Sequence, residues 1–206
     1  MEIELKYRIP DDETAEMIWE NKLFLGLEEE NTREELNIDA KYFDTDEFDL
    51  ARNEVAFRIR REGERLIASL KWKGHSEDGL HVREEINVPV ENDIPDIEVF
   101  HESNLGCEVC KFVEGKDLKC VLQTVCMRRR FRIDTGTGLF EFSIDKGEIQ
   151  TQYGTEPISE VEIELFTGET EELLQIGSKL QQAYDLQEEN RSKYYRGICM
   201  IKENRE

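Results

Sequence analysis

The sequence contains few of the features that divide a chain or direct it out of the cell. Only 4 of its 206 residues are proline, and no stretch rich in proline, glycine and serine separates two halves. We therefore expect one domain spanning residues 1–206. No apolar run approaches the roughly 20 residues that cross a bilayer, and the charged N-terminus has no apolar signal segment. We expect a cytoplasmic protein that does not enter membranes.

Cysteine and histidine are too scarce and scattered for a disulfide framework or a zinc site. The 5 cysteines are an odd number in a chain without an export signal, which predicts free thiols. Cys107 and Cys110 have the spacing of half a zinc or redox site, but no second close pair of Cys or His follows. Their role, if any, stays open. No arrangement of Cys, His and Ser suggests a covalent nucleophile.

Basic residues are also in deficit. The chain has 27 Lys and Arg against 48 Asp and Glu, which gives a formal net charge of -21. Such an excess of negative charge argues against a nucleic-acid-binding or anionic-membrane surface. An anionic ligand must therefore be bound in a locally basic pocket.

What the sequence does contain is a repeated alternation of charged and apolar residues. In a strand, Glu2, Glu4 and Lys6 would point to one face and the apolar residues between them to the other. Arg58 and Arg60 repeat the pattern, as do the three glutamates of residues 160–164. For any single strand, a charged face is adequately explained by contact with solvent. The recurrence along the chain makes that explanation weaker for the set.

The set of strands favours a closed barrel. The helical patterns after residue 10 and over residues 169–184 and 191–199 need an apolar sheet face to cover. The charged faces of the strands, in turn, need a place away from that apolar core. We therefore expect an α+β fold: a closed eight-stranded antiparallel β-barrel with helices packed outside and charged side chains inside. Candidate strands cover residues 1–7, 36–44, 55–61, 65–73, 80–90, 118–134, a segment ending at 146, and 158–166. Residues 91–117 predict one or two short helices.

The residues predicted to point inward are nearly balanced in charge. Clustered carboxylates suit a hard divalent cation such as Mg²⁺ or Mn²⁺, and clustered Arg and Lys suit phosphate oxygens. With no covalent nucleophile in view, water activated by the metal is the simplest chemistry. The basic members are Lys6, Arg58, Arg60, Lys71, Arg83, Arg128, Arg130 and Lys193. The acidic members are Glu2, Glu4, Glu85, Asp145, Glu160, Glu162 and Glu164.

The N-terminal residues Glu2-Ile3-Glu4-Leu5-Lys6 resemble the ExExK signature of the CYTH superfamily, the triphosphate tunnel metalloenzymes. The resemblance covers nearly the whole chain, and it is most similar to the bacterial inorganic triphosphatases of that superfamily. The other matching motifs, in order, are Tyr42-Phe43-Asp44-Thr45, Phe57-Arg58-Ile59-Arg60, Ser69-Leu70-Lys71, residues 79–85, Arg128, Ser143-Ile144-Asp145, residues 160–164 and Ser192-Lys193.

This resemblance implies a divalent-metal-dependent triphosphatase, acting first of all on inorganic tripolyphosphate to give pyrophosphate and phosphate. Metal-activated water would attack a terminal phosphorus while cations stabilise the transferring group. The implied ligands of Mg²⁺ or Mn²⁺ are Glu2, Glu4, Asp145, Glu162 and Glu164. The implied substrate-binding residues are Lys6, Arg58, Arg60, Lys71, Arg83, Arg128, Arg130 and Lys193. Catalytic roles fall on Glu2, Glu4, Lys6, Lys71, Lys193 and Glu85, the last helping to position metal or water.

Other members of the superfamily keep alternatives open. Class IV adenylyl cyclases convert ATP to cyclic AMP and pyrophosphate, but they carry an additional stretch before ExExK. Thiamine triphosphatases also belong here, and the sequence identifies no thiamine pocket. A non-catalytic polyphosphate-binding module is the third alternative, although binding alone would not need the carboxylates. The expected partner is thus a small triphosphate, namely tripolyphosphate, ATP or thiamine triphosphate, with no nucleic acid, and the protein is a monomer or a homodimer.

Overall fold

The structure, a computed structural model, describes residues 1–20, 22–24 and 26–204. Within these residues the chain forms nine strands and five α-helices. The strands are Glu2–Arg8 (β1), Glu34–Asp44 (β2), Ala56–Glu62 (β3), Arg65–Glu77 (β4), Leu80–Pro89 (β5), Lys119–Asp134 (β6), Leu139–Thr151 (β7), Gly154–Thr167 (β8) and Gln187–Glu188 (β9). The helices are Asp12–Trp19 (α1), Asp49–Arg52 (α2), Asn104–Phe112 (α3), Thr170–Tyr184 (α4) and Lys193–Glu203 (α5), with 3-10 turns at Lys22–Phe24 and Ile97–Phe100.

The sheet closes on itself through β1. Its strand order is β5-β4-β3-β2-β6-β7-β8-β1, and β1 also pairs with β5. On β1, Leu5 is the partner of Ile163 on one side and of Leu80 on the other. All the pairings are antiparallel. The predicted α+β fold with a closed eight-stranded antiparallel barrel is therefore confirmed, and the short β9 adds to one end of β1.

The apolar residues of the alternating pattern form the core between barrel and helices. Leu5 and Tyr7 of β1 are buried together with Ile18 of α1 and Leu173 and Leu180 of α4. A second cluster joins Phe57 and Leu70 to the segment of Ile97–Phe100 and to α3. Burying these side chains contributes about 1.5–3 kcal/mol each relative to exposure. This gain commits the intervening charged residues to the inside of the barrel.

Helix α5, unlike α1 and α4, packs against side chains of the barrel interior. Its Ile198 and Ile201 are buried against Ile38, Leu122 and Ile149. Ile38 is also part of the wall of the internal cavity described below, so apolar side chains fill part of the barrel interior. The lumen is therefore charged over only part of its length, and α5 places its first residue, Lys193, beside that charged part.

One local irregularity changes which residues face the lumen. The sequence pattern placed Lys71 and Lys73 on one face of β4. The pairing of β4 with β5 shifts between Trp72 and His75, and Lys73 has a left-handed backbone with φ 51°. This bulge leaves Lys73 exposed while Lys71 points inward. Bulges re-aim side chains in this way.

Two further observations concern expectations about membranes and thiols. Across residues 1–20, 22–24 and 26–204, no helix is long and apolar enough to span a membrane. All five cysteines are free, as expected, and Cys107 is exposed on α3.

Candidate functional site

The barrel encloses a cavity of about 80 Å³, and 12 of its 20 lining residues are predicted site residues. Of the residues predicted to bind metal or substrate or to act in catalysis, Glu85 and Arg130 are not part of its wall, and neither is Glu160, which was predicted to point inward. The residues that are part of the wall are Glu2, Glu4, Lys6, Arg58, Arg60, Lys71, Arg83, Arg128, Asp145, Glu162, Glu164 and Lys193. Strands β1, β3, β4, β5, β6, β7 and β8 and helix α5 all contribute.

One part of the wall is built on β1, β4 and β5. Glu2 accepts hydrogen bonds from Lys71 Nζ at 2.9 Å and from Arg83 Nε, and Arg83 Nη2 lies 2.9 Å from Glu4 Oε1. Burial by itself raises the pKa of the Glu2 carboxyl, but Lys71 and Arg83 more than offset this and hold it far below its usual range. Burial and the neighbouring Arg58 lower the pKa of Lys71.

The opposite part of the wall is an acidic cluster around Lys193. Asp145, Glu160 and Glu162 each place a carboxylate oxygen within 4.8 Å of the others. Lys193 Nζ lies 2.8 Å from Asp145 and 2.9 Å from Glu162, and it also contacts Glu160. Arg128 reaches the same group, with Nη2 2.6 Å from both Asp145 and Glu162. Burial raises the pKa of Glu162, but the cations Lys193, Lys6 and Arg128 bring it well below normal.

Lys6 connects the two parts of the wall. Its side chain is 2% exposed, and its ammonium lies 2.8 Å from Glu162 and 3.4 Å from Glu4. Burial lowers the pKa of this lysine, but Glu162 and Glu4 raise it above its ordinary value. A charged ammonium is thus held between Glu4 of β1 and Glu162 of β8.

Glu4 of β1 has Lys6 and Arg83 as cationic partners, whereas Glu164 of β8 forms no ion pair with the described residues. Glu4 and Glu164 are directly opposite each other in the pairing of β1 with β8. Like charges in this arrangement destabilise a sheet unless a cation is near them. Burial, followed by Glu2 and Glu4, raises the pKa of Glu164 to about 8. This carboxyl is therefore mostly protonated at neutral pH, and a bound cation would favour its ionised form.

Two arginines of β3 are only partly paired, with Arg58 Nη2 3.6 Å from Glu85 and Arg60 Nη2 3.0 Å from Glu62. Arg58 Nε and Arg60 Nε are buried and, among the described residues, have no hydrogen-bond partner. Burial and the neighbouring Arg58 lower the pKa of Arg60 to about 10. Buried N–H groups normally find an acceptor. These two guanidinium groups are therefore available to an anion in the lumen.

Glu85 and Arg130 have different positions from the rest of the predicted set. Glu85 contacts the two cations Lys71, at 3.2 Å, and Arg58, at 3.6 Å. Arg130 instead bonds Glu34 through Nε at 2.6 Å and lies 3.4 Å from Glu141. Arg130 is part of a peripheral ion-pair network, and the structure does not bring it to the cavity.

The structure adds residues that the sequence pattern had not singled out. Tyr42 and Tyr194 line the cavity and stack with ring centroids 5.3 Å apart. Tyr42 is the strand partner of Arg58. It shares one face of β2 with Ile38 and Ala40, which also line the cavity, so alternation along β2 was the signal that could have identified it. Glu160 had been placed inward on period alone, and it joins Asp145 and Glu162. His81, the strand partner of Glu4, is buried and inward-facing.

The comparisons with known proteins agree with this architecture. The family model for the CYTH domain matches residues 1–198. The inorganic triphosphatase of Haemophilus influenzae is 28% identical over 200 residues, covering 97% of this chain and 54% of that protein. The chain thus spans about half the length of the curated relative it matches.

Solved structures share the fold at low sequence identity. A Hippeastrum protein, studied as an adenylyl cyclase and described as having a dominant triphosphatase activity, superposes with a TM-score of 0.68 at 21% identity, covering 94% of this chain and 93% of that one. A proposed adenylate cyclase from Bacillus halodurans gives a TM-score of 0.58 at 18% identity, covering 93% and 94%. With a family model that matches almost its whole length and a closed barrel of the same fold, this chain belongs to the CYTH domain family.

Proposed function

We propose that this protein hydrolyses inorganic tripolyphosphate to pyrophosphate and phosphate with the help of a divalent cation, Mg²⁺ or Mn²⁺. The observation that carries the proposal is the pair of charged walls inside one closed barrel. Among the described residues, two arginines of β3 keep a buried Nε atom without a partner, and burial together with Glu2 and Glu4 raises the pKa of Glu164 on β8 to about 8. A triphosphate with a metal ion supplies the negative and the positive charge that the two walls need. The Haemophilus influenzae relative, an inorganic triphosphatase, supports this substrate.

The carboxylates of the cavity fit a hard divalent cation. Such ions take oxygen ligands, and Glu4 and Glu164 oppose each other across two strands where a cation would relieve their repulsion. Asp145 and Glu162, grouped with Glu160, offer oxygens close enough to share an ion. We assign metal binding to Glu2, Glu4, Asp145, Glu162 and Glu164, with Glu160 as an addition. When bound, the ion would neutralise phosphate oxygens and activate water for attack on a terminal phosphorus.

The basic residues would bind and orient the triphosphate. Arg58 and Arg60 each have a buried Nε–H group that no described residue accepts from, and guanidinium groups bind phosphate oxygens in a fixed geometry. Lys71, Arg128 and Lys193 are paired with carboxylates in the cavity wall, so substrate oxygens would replace those carboxylates as partners. Charge developing on the phosphoryl oxygens would meet cations already in place, which is the main protein contribution to phosphoryl transfer.

Lys6 and Glu85 have positioning roles in this proposal. Lys6 is fixed between Glu4 and Glu162, and it would keep these two carboxylates correctly spaced for metal and substrate. Glu85 lies against Lys71 and Arg58, and it would hold both cations toward the lumen. Arg83, bound to Glu2 and Glu4, would hold these carboxylates until substrate oxygens replace them as its partners.

A product assay tests the proposal. Tripolyphosphate, ATP and thiamine triphosphate are each incubated with the protein under Mg²⁺ and Mn²⁺, and phosphate, pyrophosphate and cyclic AMP are quantified. We expect phosphate and pyrophosphate from tripolyphosphate at the highest kcat/KM. Faster conversion of ATP to cyclic AMP and pyrophosphate would replace the proposal with a cyclase, and no turnover of any substrate would support a binding module.

Two arginines of β6 provide a matched pair for this assay. Arg128 lines the cavity, whereas the side chain of Arg132 is 49% exposed and its guanidinium lies 3.7 Å from Glu29. Arg128→Ala should lose most tripolyphosphate turnover, and Arg132→Ala should retain it. Equal effects of the two substitutions would show that the cavity is not where the substrate binds.

A further inference from the structure

A second, larger cavity lies next to the cavity inside the barrel, which is called the tunnel from here on. This cleft of about 620 Å³ is bounded by the β4–β5 hairpin and by α5 with the residues before it. Lys71, Arg83 and Tyr194 line both the cleft and the tunnel. An anion bound to Lys71 and Arg83 is therefore accessible from the tunnel and from the cleft.

The cleft contains a hydrogen-bonded serine and histidine. Ser76 and His81 are strand partners on β4 and β5, and both line the cleft. Ser76 Oγ lies 2.8 Å from His81 Nδ1, while His81 Nε2 lies 2.7 Å from the backbone carbonyl oxygen of Glu189. His81 is 3% exposed.

The three groups define which atom carries each proton. A carbonyl oxygen only accepts hydrogen bonds, so His81 Nε2 must be the protonated nitrogen that donates to Glu189. In the neutral ring, Nδ1 is then an acceptor, and the hydroxyl of Ser76 donates to it. A hydroxyl is activated when it donates a hydrogen bond to a base whose ring is oriented by a third group. Ser76, His81 and the Glu189 carbonyl have this arrangement.

A purely structural hydrogen bond would not explain the position of this pair. To hold the hairpin against the Glu189 segment, the His81 bond to the carbonyl would suffice. Ser76 instead points its hydroxyl to the remaining ring nitrogen inside a cleft that shares two phosphate-binding candidates with the tunnel. Sequence spacing could not reveal the pair, because the bulge after Trp72 sets the register that brings the two residues together.

We propose that Ser76 is a second acceptor, beside the water of the proposed hydrolysis: a nucleophile that takes a phosphoryl group from a triphosphate bound at Lys71 and Arg83. This inference rests on the proposed function for its phosphoryl donor. Ser76 Oγ forms a bond to the terminal phosphorus, the bridging P–O bond breaks, and pyrophosphate leaves with the bonding electron pair. The hydroxyl proton passes to His81 Nδ1. The product is phosphoserine at position 76, and Arg83 and Lys71 offset the charge on the transferred group.

The reactivity of Ser76 is tested first without any triphosphate. A fluorophosphonate probe forms a serine Oγ–P bond as the P–F bond breaks and fluoride leaves. Peptide mass spectrometry of the full chain should locate the probe on Ser76. Ser76→Ala should abolish that label, and His81→Gln should slow labelling about a hundredfold, as loss of a general base does. Ser178→Ala, at an exposed position on α4, is the matched control and should label at the wild-type rate.

The donor is tested with tripolyphosphate labelled on its terminal phosphoryl groups, in the presence of Mg²⁺, followed by an acid quench. We expect labelled phosphoserine at Ser76 in the wild type and none in Ser76→Ala, whose melting curve controls for folding. No fluorophosphonate label on Ser76 would overturn the inference even if phosphate is released. Probe labelling without phosphoserine, in an enzyme that releases phosphate, would overturn the transfer step. Probe labelling in a protein that releases no phosphate would refute the proposed function and leave Ser76 established as a nucleophile by the first test.

Discussion

At the scale of single residues, the site depends on how buried charges are paired. A buried ion costs several kcal/mol of desolvation unless partners offset it. Lys193 and Arg128 each contact more than one carboxylate, whereas the buried Nε–H groups of Arg58 and Arg60 have no partner in the part of the chain that the structure describes. The two kinds of residue should therefore respond differently to substitution.

The first prediction separates the acidic wall from the basic wall. Glu4→Gln keeps the shape of the side chain but removes a proposed metal ligand, so turnover should fall steeply and recover in part at raised Mg²⁺. Arg58→Ala removes a phosphate contact of about 1.5–3 kcal/mol, which is about tenfold to a hundredfold in kcat/KM. Metal titrations of tripolyphosphate turnover check this. Arg58→Ala should not respond to added metal, and Arg61→Ala, at an exposed position of β3, should behave as wild type.

The second prediction concerns pH and Glu189, which lies outside the proposed catalytic set. Burial raises the pKa of this carboxyl, but hydrogen bonds from Arg191 and Arg8 bring it down to about 2 from 4.5. A lowered folded-state pKa stabilises the protein above the unfolded pKa and loses that contribution as pH falls through the folded value. Above about pH 5, the free energy of unfolding of the wild type should therefore exceed that of Glu189→Gln by on the order of 2 kcal/mol. This difference should shrink between pH 4.5 and 2.

Urea unfolding of both proteins at several pH values measures that gap. Arg8 is 47% exposed, and solvent screening of this partner is why the expected magnitude is below the full value of the shift. Glu102→Gln, at an exposed position, should show no such trend. A gap that stays constant from pH 6 to pH 3 would mean that the carboxylate charge of Glu189 does not contribute.

At the scale of elements, two glycines let helices approach the barrel. A Cβ atom at Gly177 of α4 would lie 2.6 Å from Tyr7 Oη and would overlap Leu5. A Cβ at Gly197 of α5 would lie 2.6 Å from Leu122 Cδ2. Glycine in a helix costs about 1 kcal/mol relative to alanine. The close packing of α4 on the outside and of α5 on the interior apolar cluster offsets that cost.

The third prediction is that Gly177→Ala destabilises the protein despite the better helix propensity of alanine. Overlap with Leu5 and Tyr7 should cost about 1–3 kcal/mol, which exceeds the propensity gain. Thermal unfolding should show a lower Tm for this variant. Ser178→Ala, one residue further along α4 at an exposed position, should match or slightly exceed wild type. A raised Tm for Gly177→Ala would show that α4 packs less closely on β1.

At the scale of the whole molecule, closure of the barrel gives a strongly acidic chain a cationic interior. The formal net charge is -21, yet the tunnel wall contains Lys6, Arg58, Arg60 and Lys71 among its cations. Low-dielectric walls strengthen the field of charges inside such a cavity. A closed sheet also leaves the eight barrel strands without free edges, so the interior geometry is stiff.

The fourth prediction is that turnover requires a divalent metal. Treatment with EDTA should abolish hydrolysis of tripolyphosphate, and added Mg²⁺ or Mn²⁺ should restore it, because the cavity carboxylates would repel a triphosphate unless a cation lies between them. Phosphate release before and after metal readdition is the measurement, and the far-UV spectrum controls for folding. Full activity after rigorous metal removal would contradict the assignment of the carboxylates.

Alternation at period two was sufficient to determine the faces of the strands and much of the candidate site. Because successive side chains of a strand point to opposite faces whatever its partners, Glu2, Glu4, Lys6 and Arg58 could be placed inside before any pairing was known. The need to cover the apolar face with helices then predicted closure. Both arguments are local or compositional, and the barrel confirmed them.

Tertiary structure decided which of these inward residues meet. Pairing register and bulges depend on hydrogen bonds between distant strands, and no local pattern contains them. The register placed Arg130 against Glu34, away from the cavity, and it brought Ser76 to His81. The approach of α5 added Lys193 to the cluster of Asp145, Glu160 and Glu162, because only the packed fold sets the distance between a helix N-terminus and the far side of a barrel.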